Sequence, residues 1–264
     1  MATVLLTGFG GFLGSEVARQ LLVAGYQVRG IARNEYPELE AAGVETVQGS
    51  ISDRDLVLEA TQGCDAIINT AAKAGVWGKW PEYYGINTLA VSHLLEAAQQ
   101  NKVQAFVQTS SPSVTFDGKD QSGIDETAPY PEKWLCFYPQ TKALAERAVL
   151  EAAKTGQVRA CALRPHLIWG KGDPHLFPRV ISRTLAGRLR RVGDGRNVID
   201  VVHVRNAARS HVLALEKLLA GDKDVNGQAF FITDGQPVAC WDWISKILTT
   251  AGVEVPQKSI SFSA

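Results

Sequence analysis

Tyr138 and Lys142 close the stretch Tyr138-Pro139-Gln140-Thr141-Lys142, and on a helix that spacing puts a phenol and an ammonium on one face, a turn apart. An isolated phenol titrates at about 10, too high for proton transfer at neutral pH unless a nearby cation stabilises the phenolate. Lys142 is placed to do that, which predicts acid/base chemistry at position 138. Upstream, Thr109-Ser110-Ser111 ends an apolar, strand-like run. A hydroxyl there can hydrogen-bond a substrate carbonyl opposite the phenol. Asn87, on a predicted helix, is expected to hold a water that relays protons to the lysine.

A second constellation, Thr7-Gly8-x-x-Gly11-x-x-Gly14, stands where the first strand-like run meets the first helical pattern. Glycine permits the tight turn and lets backbone N–H groups approach a pyrophosphate at the positive end of the helix dipole. Thr7, Gly8, Gly11, Phe12, Leu13 and Gly14 are the candidate cofactor cradle. At the end of the second strand an acidic residue binds ribose hydroxyls, whereas a cation favours a 2′-phosphate. The residues there are Ala32, Arg33 and Asn34. Arg33 therefore favours NADP over NAD through a paired guanidinium–phosphate contact. Arg29, inside the strand, is a weaker candidate because alternation can turn it to the wrong face.

These residues need a scaffold, and the pattern around them supplies one. Strand-like runs at Thr3–Thr7, Gln27–Ala32, Val44–Gln48, Asp65–Asn69, Gln104–Thr109 and Val158–Leu163 alternate with helical patterns. The helices are expected from Phe12 to a Gly25 C-cap, Tyr83–Gln100 and Tyr138–Lys154. Such alternation predicts an α/β fold, a Rossmann-type doubly wound parallel sheet covered on both faces, with a small C-terminal substrate lobe. After Arg164-Pro165 the pattern changes to prolines, an arginine cluster and short strands, with one clear helix over Val204–Leu219. The expected boundaries are 1–165 for the dinucleotide-binding domain, joined by parts of 197–233, and 166–196 with 234–264 for the substrate lobe. Ser259-Ile260-Ser261-Phe262 reads as a strand with no obvious finish, so a shortened C-terminus is expected.

Composition narrows the function classes. The 264 residues carry 27 Lys+Arg against 27 Asp+Glu, which argues against the broad positive field of a nucleic-acid or anionic-membrane binder. No apolar run approaches the roughly 18–20 residues that span a bilayer, and Gly8 comes too early for a signal-peptide core. Cys64, Cys136, Cys161 and Cys240 lack ligand spacing and read as small buried hydrophobes of a reducing, cytoplasmic protein. His93, His166, His175, His203 and His211 show no metal-binding pattern, and no metal is expected.

Taken together these motifs resemble the extended short-chain dehydrogenase/reductase family, in its 3β-hydroxysteroid dehydrogenase-like branch. The matching residues are the glycine motif, Asn69-Thr70-Ala71-Ala72, Asn87, Thr109-Ser110-Ser111-Pro112-Ser113-Val114, Tyr138-Pro139-x-x-Lys142-Ala143 and Arg164-Pro165-x-x-Ile168-Trp169-Gly170-x-Gly172-Asp173. Further stretches, such as Ala71-Ala72-Lys73-Ala74-Gly75-Val76-Trp77-Gly78 and Val192-Gly193-Asp194-Gly195, narrow the likeness to a bacterial group of 2-alkyl-3-oxoalkanoate reductases. The resemblance implies Ser111 as the carbonyl-binding serine, with Ser110 the alternative if the register slips. It implies Tyr138 as acid/base, Lys142 as the group that lowers its pKa and holds the nicotinamide ribose, and Asn87 as the fourth member. It also implies cofactor contacts from Ala71, Ala72, Pro165 and His166, and pairing of subunits into a homodimer. In one departure, the family's Gly-Asp after the third strand, which serves the adenine, is replaced by Gly49-Ser50.

The flanking loops carry Trp77, Trp80, Tyr130, Trp134, Leu135 and Phe137, which suits a small-molecule apolar carbonyl substrate such as a β-keto acid or sterol, though such aromatics serve equally in lobe packing or a dimer contact. Arg179, Arg183, Arg188, Arg190, Arg191, Arg196, Arg205 and Arg209 are expected in the second lobe, as solvated side chains or as an anion-attracting field. The predicted reaction is reduction of a ketone to a secondary alcohol. A nucleotide-sugar epimerase or dehydratase on the same scaffold is the alternative, and a catalytically silent cofactor sensor a third.

Overall fold

The apolar run Thr3–Thr7 forms a strand whose Val4, Leu5 and Leu6 are all fully buried, as expected of a strand covered on both faces. The computed structural model describes residues 1–261. The chain runs β1 (Thr3–Thr7), α1 (Phe12–Val23), β2 (Gln27–Ala32), α2 (Pro37–Ala41), β3 (Val44–Gln48), α3 (Arg54–Ala60) and β4 (Ala66–Asn69). It continues through α4 (Trp80–Tyr84), a π-helical turn (Gly85–Leu89), α5 (Ala90–Gln100), β5 (Ala105–Thr109), a 3-10 turn (Pro112–Thr115), α6 (Phe137–Lys154) and β6 (Arg159–Pro165). Then come β7 (Leu167–Trp169), α7 (Leu176–Leu185), β8 (Arg191–Val192), β9 (Val198–Ile199), β10 (Val201–His203) and α8 (Val204–Leu219). The last elements are β11 (Ala229–Ile232), β12 (Val238–Ala239), α9 (Cys240–Thr250) and β13 (Ser259–Ile260).

Seven strands form one sheet in the order β11-β6-β5-β4-β1-β2-β3, with every pairing parallel. The order reverses between β1 and β4, and the crevice beyond the carboxyl ends at such a switch point is where open α/β sheets bind ligands. Side-chain alternation splits the core in two. Leu5, Ile67, Phe106 and Ala160 face α3, α5 and α6, while Val4, Leu6, Ile68, Val107 and Cys161 face α1 and α8.

The chain divides into two compact units, Met1–Pro165 with Arg205–Ile232, and His166–Val204 with the residues from Thr233 on. Residues 197–204 fall in the second unit, and Arg205 and Arg209 in the first. These two arginines pair with Glu16 at 3.8 Å and Glu216 at 3.6 Å, so the expected cluster in the second lobe is smaller. In the second unit β7 pairs with β10, β9 with β12 and β8 with β13. Phe262, part of the expected last strand, lies outside the described residues. Of the four cysteines, all free, only Cys64 and Cys161 are buried; Cys136 and Cys240 are half-buried. Among the described residues no helix is long and apolar enough to cross a membrane.

Candidate active site

Polar side chains lie abreast at the carboxyl ends of three neighbouring strands. The parallel register sets Thr7 beside Asn69 and Asn69 beside Gln108, and all three are buried. Buried polar groups must find partners, and these find one another. The Thr7 hydroxyl donates to Asn69 Oδ1, Asn69 Nδ2 donates to Gln108 Oε1 at 2.9 Å, and Gln108 Nε2 donates to the Thr109 carbonyl at 2.8 Å. Thr7 thus donates its hydroxyl proton within the protein.

The same Thr109 carbonyl accepts a hydrogen bond from Lys142 Nζ. Lys142 is 2% exposed, and burial brings its pKa down to about 8 against an opposing pull from Glu146, one turn along α6. Tyr138 is half-buried on the first turn of the same helix. Burial pushes its phenol above the usual range, a hydrogen bond with Ser111 draws it back, and the Cys136 thiol adds to the rise. Lys142 is not among the groups that shift the resting phenol: its ammonium donates to a backbone carbonyl, while the Ser111 hydroxyl is what draws the phenol back.

Ser111 leaves β5 as the N-cap of the 3-10 turn, accepting from Ser113 N at 3.2 Å and sharing a hydrogen bond with the Ser113 hydroxyl at 2.8 Å. That cap fixes the Ser111 hydroxyl at the start of the turn. The buried Ser110 hydroxyl has no partner among the described residues, so the pairing falls on Ser111 and not on its neighbour.

Asn87 sits in the π-helical turn, almost fully buried. Its Oδ1 accepts from Lys73 N at 2.7 Å, and its Nδ2 donates to Lys73 O at 3.0 Å and Thr141 Oγ1 at 3.1 Å. With both amide protons used, the side chain clips the loop after β4 to α6.

A cleft of about 690 Å³ opens at the switch point, lined by Gly8, Gly10, Gly11, Arg33, Tyr36, Ser50, Ala71 and Ala72 among others. Gly11 caps α1 without a side-chain bond, so no capping side chain competes with a ligand for the first-turn N–H groups. Gly14 has no room for a side chain, since a Cβ would stand 2.1 Å from Gly8 O. The cradle thus fits a dinucleotide pyrophosphate, with Gly8, Gly11, Ala71 and Ala72 on its walls. Phe12 and Leu13 open α1 but do not line the cleft. Pro165 ends β6 and His166 begins the second unit.

Arg33 is exposed on the cleft wall. Arg29 is not available: it donates to Ala60 O at 3.1 Å and Gln62 O at 2.7 Å and pairs with Glu45 at 3.0 Å. Ser50, in place of the usual acid, lines the cleft beside Gly49.

The aromatic loops divide. Trp80 stacks on Tyr84 at 5.5 Å and meets Phe137 edge-on at 5.5 Å, whereas Trp77 and Leu135 stand exposed. Tyr130 belongs elsewhere. Its hydroxyl donates to Glu146 Oε1 at 2.7 Å, Arg147 covers its ring at 4.2 Å, and Glu146 pairs with the buried Arg164 at 2.6 Å. The Glu146–Arg164 pair, Asn69, Gln108 and the Thr109 carbonyl were not singled out from sequence as parts of the site. The signal for Gln108 was present, as a lone amide in the apolar strand Ala105–Thr109. Among the described residues no three His, Cys, Asp or Glu side chains gather as a metal site requires.

The sequence profile of the 3-beta hydroxysteroid dehydrogenase/isomerase family matches residues 5–263. The chain belongs to this family. Among its relatives, a 2-alkyl-3-oxoalkanoate reductase of Shewanella oneidensis is 41% identical over 254 residues, 94% of this chain and 66% of that protein. The enzyme of the same name from Stenotrophomonas maltophilia is 40% identical over 262 residues, 98% of this chain and 78% of that one. The chain thus spans about two thirds to four fifths of the length of these two relatives. Among solved structures, MoeE5 in complex with UDP-glucose and NAD superposes with a TM-score of 0.81 at 28% identity, covering 98% of this chain and 85% of that one.

Proposed function

We propose that this member of the 3-beta hydroxysteroid dehydrogenase/isomerase family is an NADP-dependent reductase of the extended short-chain type. It converts the ketone of a β-keto acid or sterol-like apolar substrate to a secondary alcohol. The observation that carries the reading is the gathering of the Ser111 hydroxyl, the Tyr138 phenol whose pKa it lowers and the buried Lys142 a turn away, where β5 ends and α6 begins. When bound, a nicotinamide dinucleotide supplies the hydride for the carbonyl carbon. Tyr138, kept protonated by burial, donates its proton to the carbonyl oxygen, and the Ser111 hydroxyl hydrogen-bonds that oxygen as charge develops. Lys142 lends positive charge beside the phenolate left behind and holds the cofactor ribose. Arg33 on the cleft wall favours a 2′-phosphate, and the names of the two reductase relatives support the β-keto substrate.

Free thiols go with a cytoplasmic setting. The exposed Leu89 and Leu144 on the π-helical turn and α6 offer apolar faces for a homodimer. No nucleic acid, membrane insertion or metal enters the proposal.

The MoeE5 likeness supports the alternative, a nucleotide-sugar epimerase or dehydratase. NADPH and NADH oxidation is followed against long-chain β-keto acids, steroid ketones and sugar nucleotides, with dinucleotide retention checked by gel filtration. Oxidation of NADPH by a β-keto acid or steroid ketone is expected. Tight retention of cofactor with turnover of sugar nucleotides alone replaces the proposal with the alternative.

A further inference from the structure

His211 lies on α8, among Ala207, Ala208, Val212 and Leu215 of the core beneath the sheet. An apolar side chain is the default at such a position, because a buried imidazole must recover both of its lost hydrogen bonds with water. His211, 0% exposed, recovers both. Its Nδ1 is 2.6 Å from the Ala207 carbonyl, one turn back along the helix. A carbonyl only accepts, so Nδ1 carries the proton and Nε2 is left as an acceptor. Nε2 in turn lies 2.7 Å from the Thr109 hydroxyl, which is therefore the donor. Thr109 is the residue whose carbonyl holds the Lys142 ammonium. The next peptide is pinned as well, by Ser110 N donating to Leu163 O at 2.6 Å.

We propose that His211 is a positioning residue for the reductase reaction: by accepting from the Thr109 hydroxyl it fixes the end of β5, so that the Thr109 carbonyl holds the Lys142 ammonium in place behind Tyr138. The neutral imidazole this needs is secured by burial, which takes the pKa of His211 down to about 4, with the nearby Lys142 charge adding to the fall against the Ala207 hydrogen bond. An imidazolium would donate from both nitrogens, and the Thr109 hydroxyl would lose its acceptor. Sequence spacing gives no hint of this link, since Thr109 and His211 are 102 residues apart. The chain returns to the first unit only at Arg205.

The inference rests on the reductase reading, and its test separates the two. His211→Leu removes the acceptor, His211→Gln keeps one, and Thr109→Val removes the donor while leaving the carbonyl. Steady-state kinetics with NADPH and the ketone accepted in the substrate panel are expected to show kcat down about ten- to a hundredfold in His211→Leu, because small misplacements of catalytic groups cost rate on that scale. The KM for the ketone stays near that of the parent, Thr109→Val reproduces the loss, and His211→Gln recovers most of it. Crystals of the unliganded variants are expected to show Lys142 Nζ displaced from Thr109 O in His211→Leu and in place in His211→Gln. Should His211→Leu fail to fold, Thr109→Val carries both readouts. Nζ still on Thr109 O once the hydroxyl–imidazole bond is gone, or an unchanged kcat, overturns the inference. A parent protein that reduces no ketone overturns the reductase reading alone, because the position of the lysine in the crystals is read without turnover.

Discussion

The ammonium of Lys142 rests on the carbonyl oxygen of Thr109, one helical turn from a phenol whose raised pKa the Ser111 hydroxyl draws back. Lysine and tyrosine are therefore held by two consecutive features of one segment, the last residue of β5 and the cap of the turn that follows. Before any proton moves the phenol is neutral, which is the form a reductase needs; the lysine charge matters after the proton has left.

Tyr138→Phe removes the donated proton and leaves the cleft untouched. Turnover in the NADPH-oxidation assay is expected to fall by about 10²- to 10⁴-fold, the usual contribution of general acid catalysis. Dinucleotide affinity, read by fluorescence titration, is expected to stay within twofold or so. Retained turnover removes the tyrosine from the mechanism.

Arg33→Ala tests the choice of dinucleotide. A hydrogen bond to a charged group contributes about 1.5–3 kcal/mol, so the NADPH:NADH preference in kcat/KM is expected to fall by roughly ten- to a hundredfold. An unchanged preference with full activity sinks the NADP assignment.

Lys142 makes stability depend on pH. Its pKa falls from 10.5 to about 8 on folding, so the folded chain binds that proton less tightly than the unfolded one. The resulting penalty is fully present below about pH 8 and disappears as pH rises toward 10.5, where the unfolded lysine also loses its charge. Thermal melts are expected to show the parent gaining on Lys142→Met across that window. A constant difference in Tm between the two counts against the buried, charged lysine.

Glu146 and Arg164 form a bidentate pair, Nε lying 3.2 and 3.1 Å from the two carboxylate oxygens, with both side chains buried. Glu146→Ala strands the guanidinium and is expected to cost about 3–5 kcal/mol in urea unfolding. The double variant Glu146→Leu with Arg164→Met is expected to recover much of that, because two apolar side chains leave no uncompensated charge.

Gly14→Ala drives a methyl group toward Gly8 O, 2.1 Å from the ideal Cβ position, with Thr70 Oγ1 at 2.8 Å. The backbone of the cradle must shift, with an expected loss of about 1–3 kcal/mol of stability. Dinucleotide affinity falls with it, and an alanine variant that binds normally contradicts the assigned cradle.

The scaffold was legible where local pattern decides structure. β1, β2, β3 and the helix Val204–Leu219 coincide with their expected bounds, since a buried parallel strand and an amphipathic helix each write a clear period. The helix expected over Tyr83–Gln100 is instead α4, the π-helical turn and α5, starting at Trp80; the Asn87 clip at its centre depends on Lys73 and Thr141, which the local pattern does not contain. Short α2 and α3 carry too few residues for a period, although Asp53 caps α3 by accepting from Asp55 N and Leu56 N. The motifs pointed to Ser111, Tyr138, Lys142 and the glycines as candidates. They did not give the partners of Lys142, because a backbone carbonyl leaves no trace in residue type and His211 reaches Thr109 only through the tertiary fold.

The first unit is assembled from two stretches of chain, with His166–Val204 between them, and its outermost strand, β11, comes from the later stretch. This bears on synthesis. A nascent polypeptide that has emerged as far as Pro165 holds six strands in sequence but neither α8 nor β11, so β6 waits as an unprotected margin open to wrong pairing. The imidazole that completes the lysine anchor belongs to the same late stretch. Maturation of the catalytic geometry is therefore tied to one of the last long-range closures of the domain, the slow class of event in folding, and translation arrested before Ile232 is expected to yield chains that chaperones hold and proteases cut.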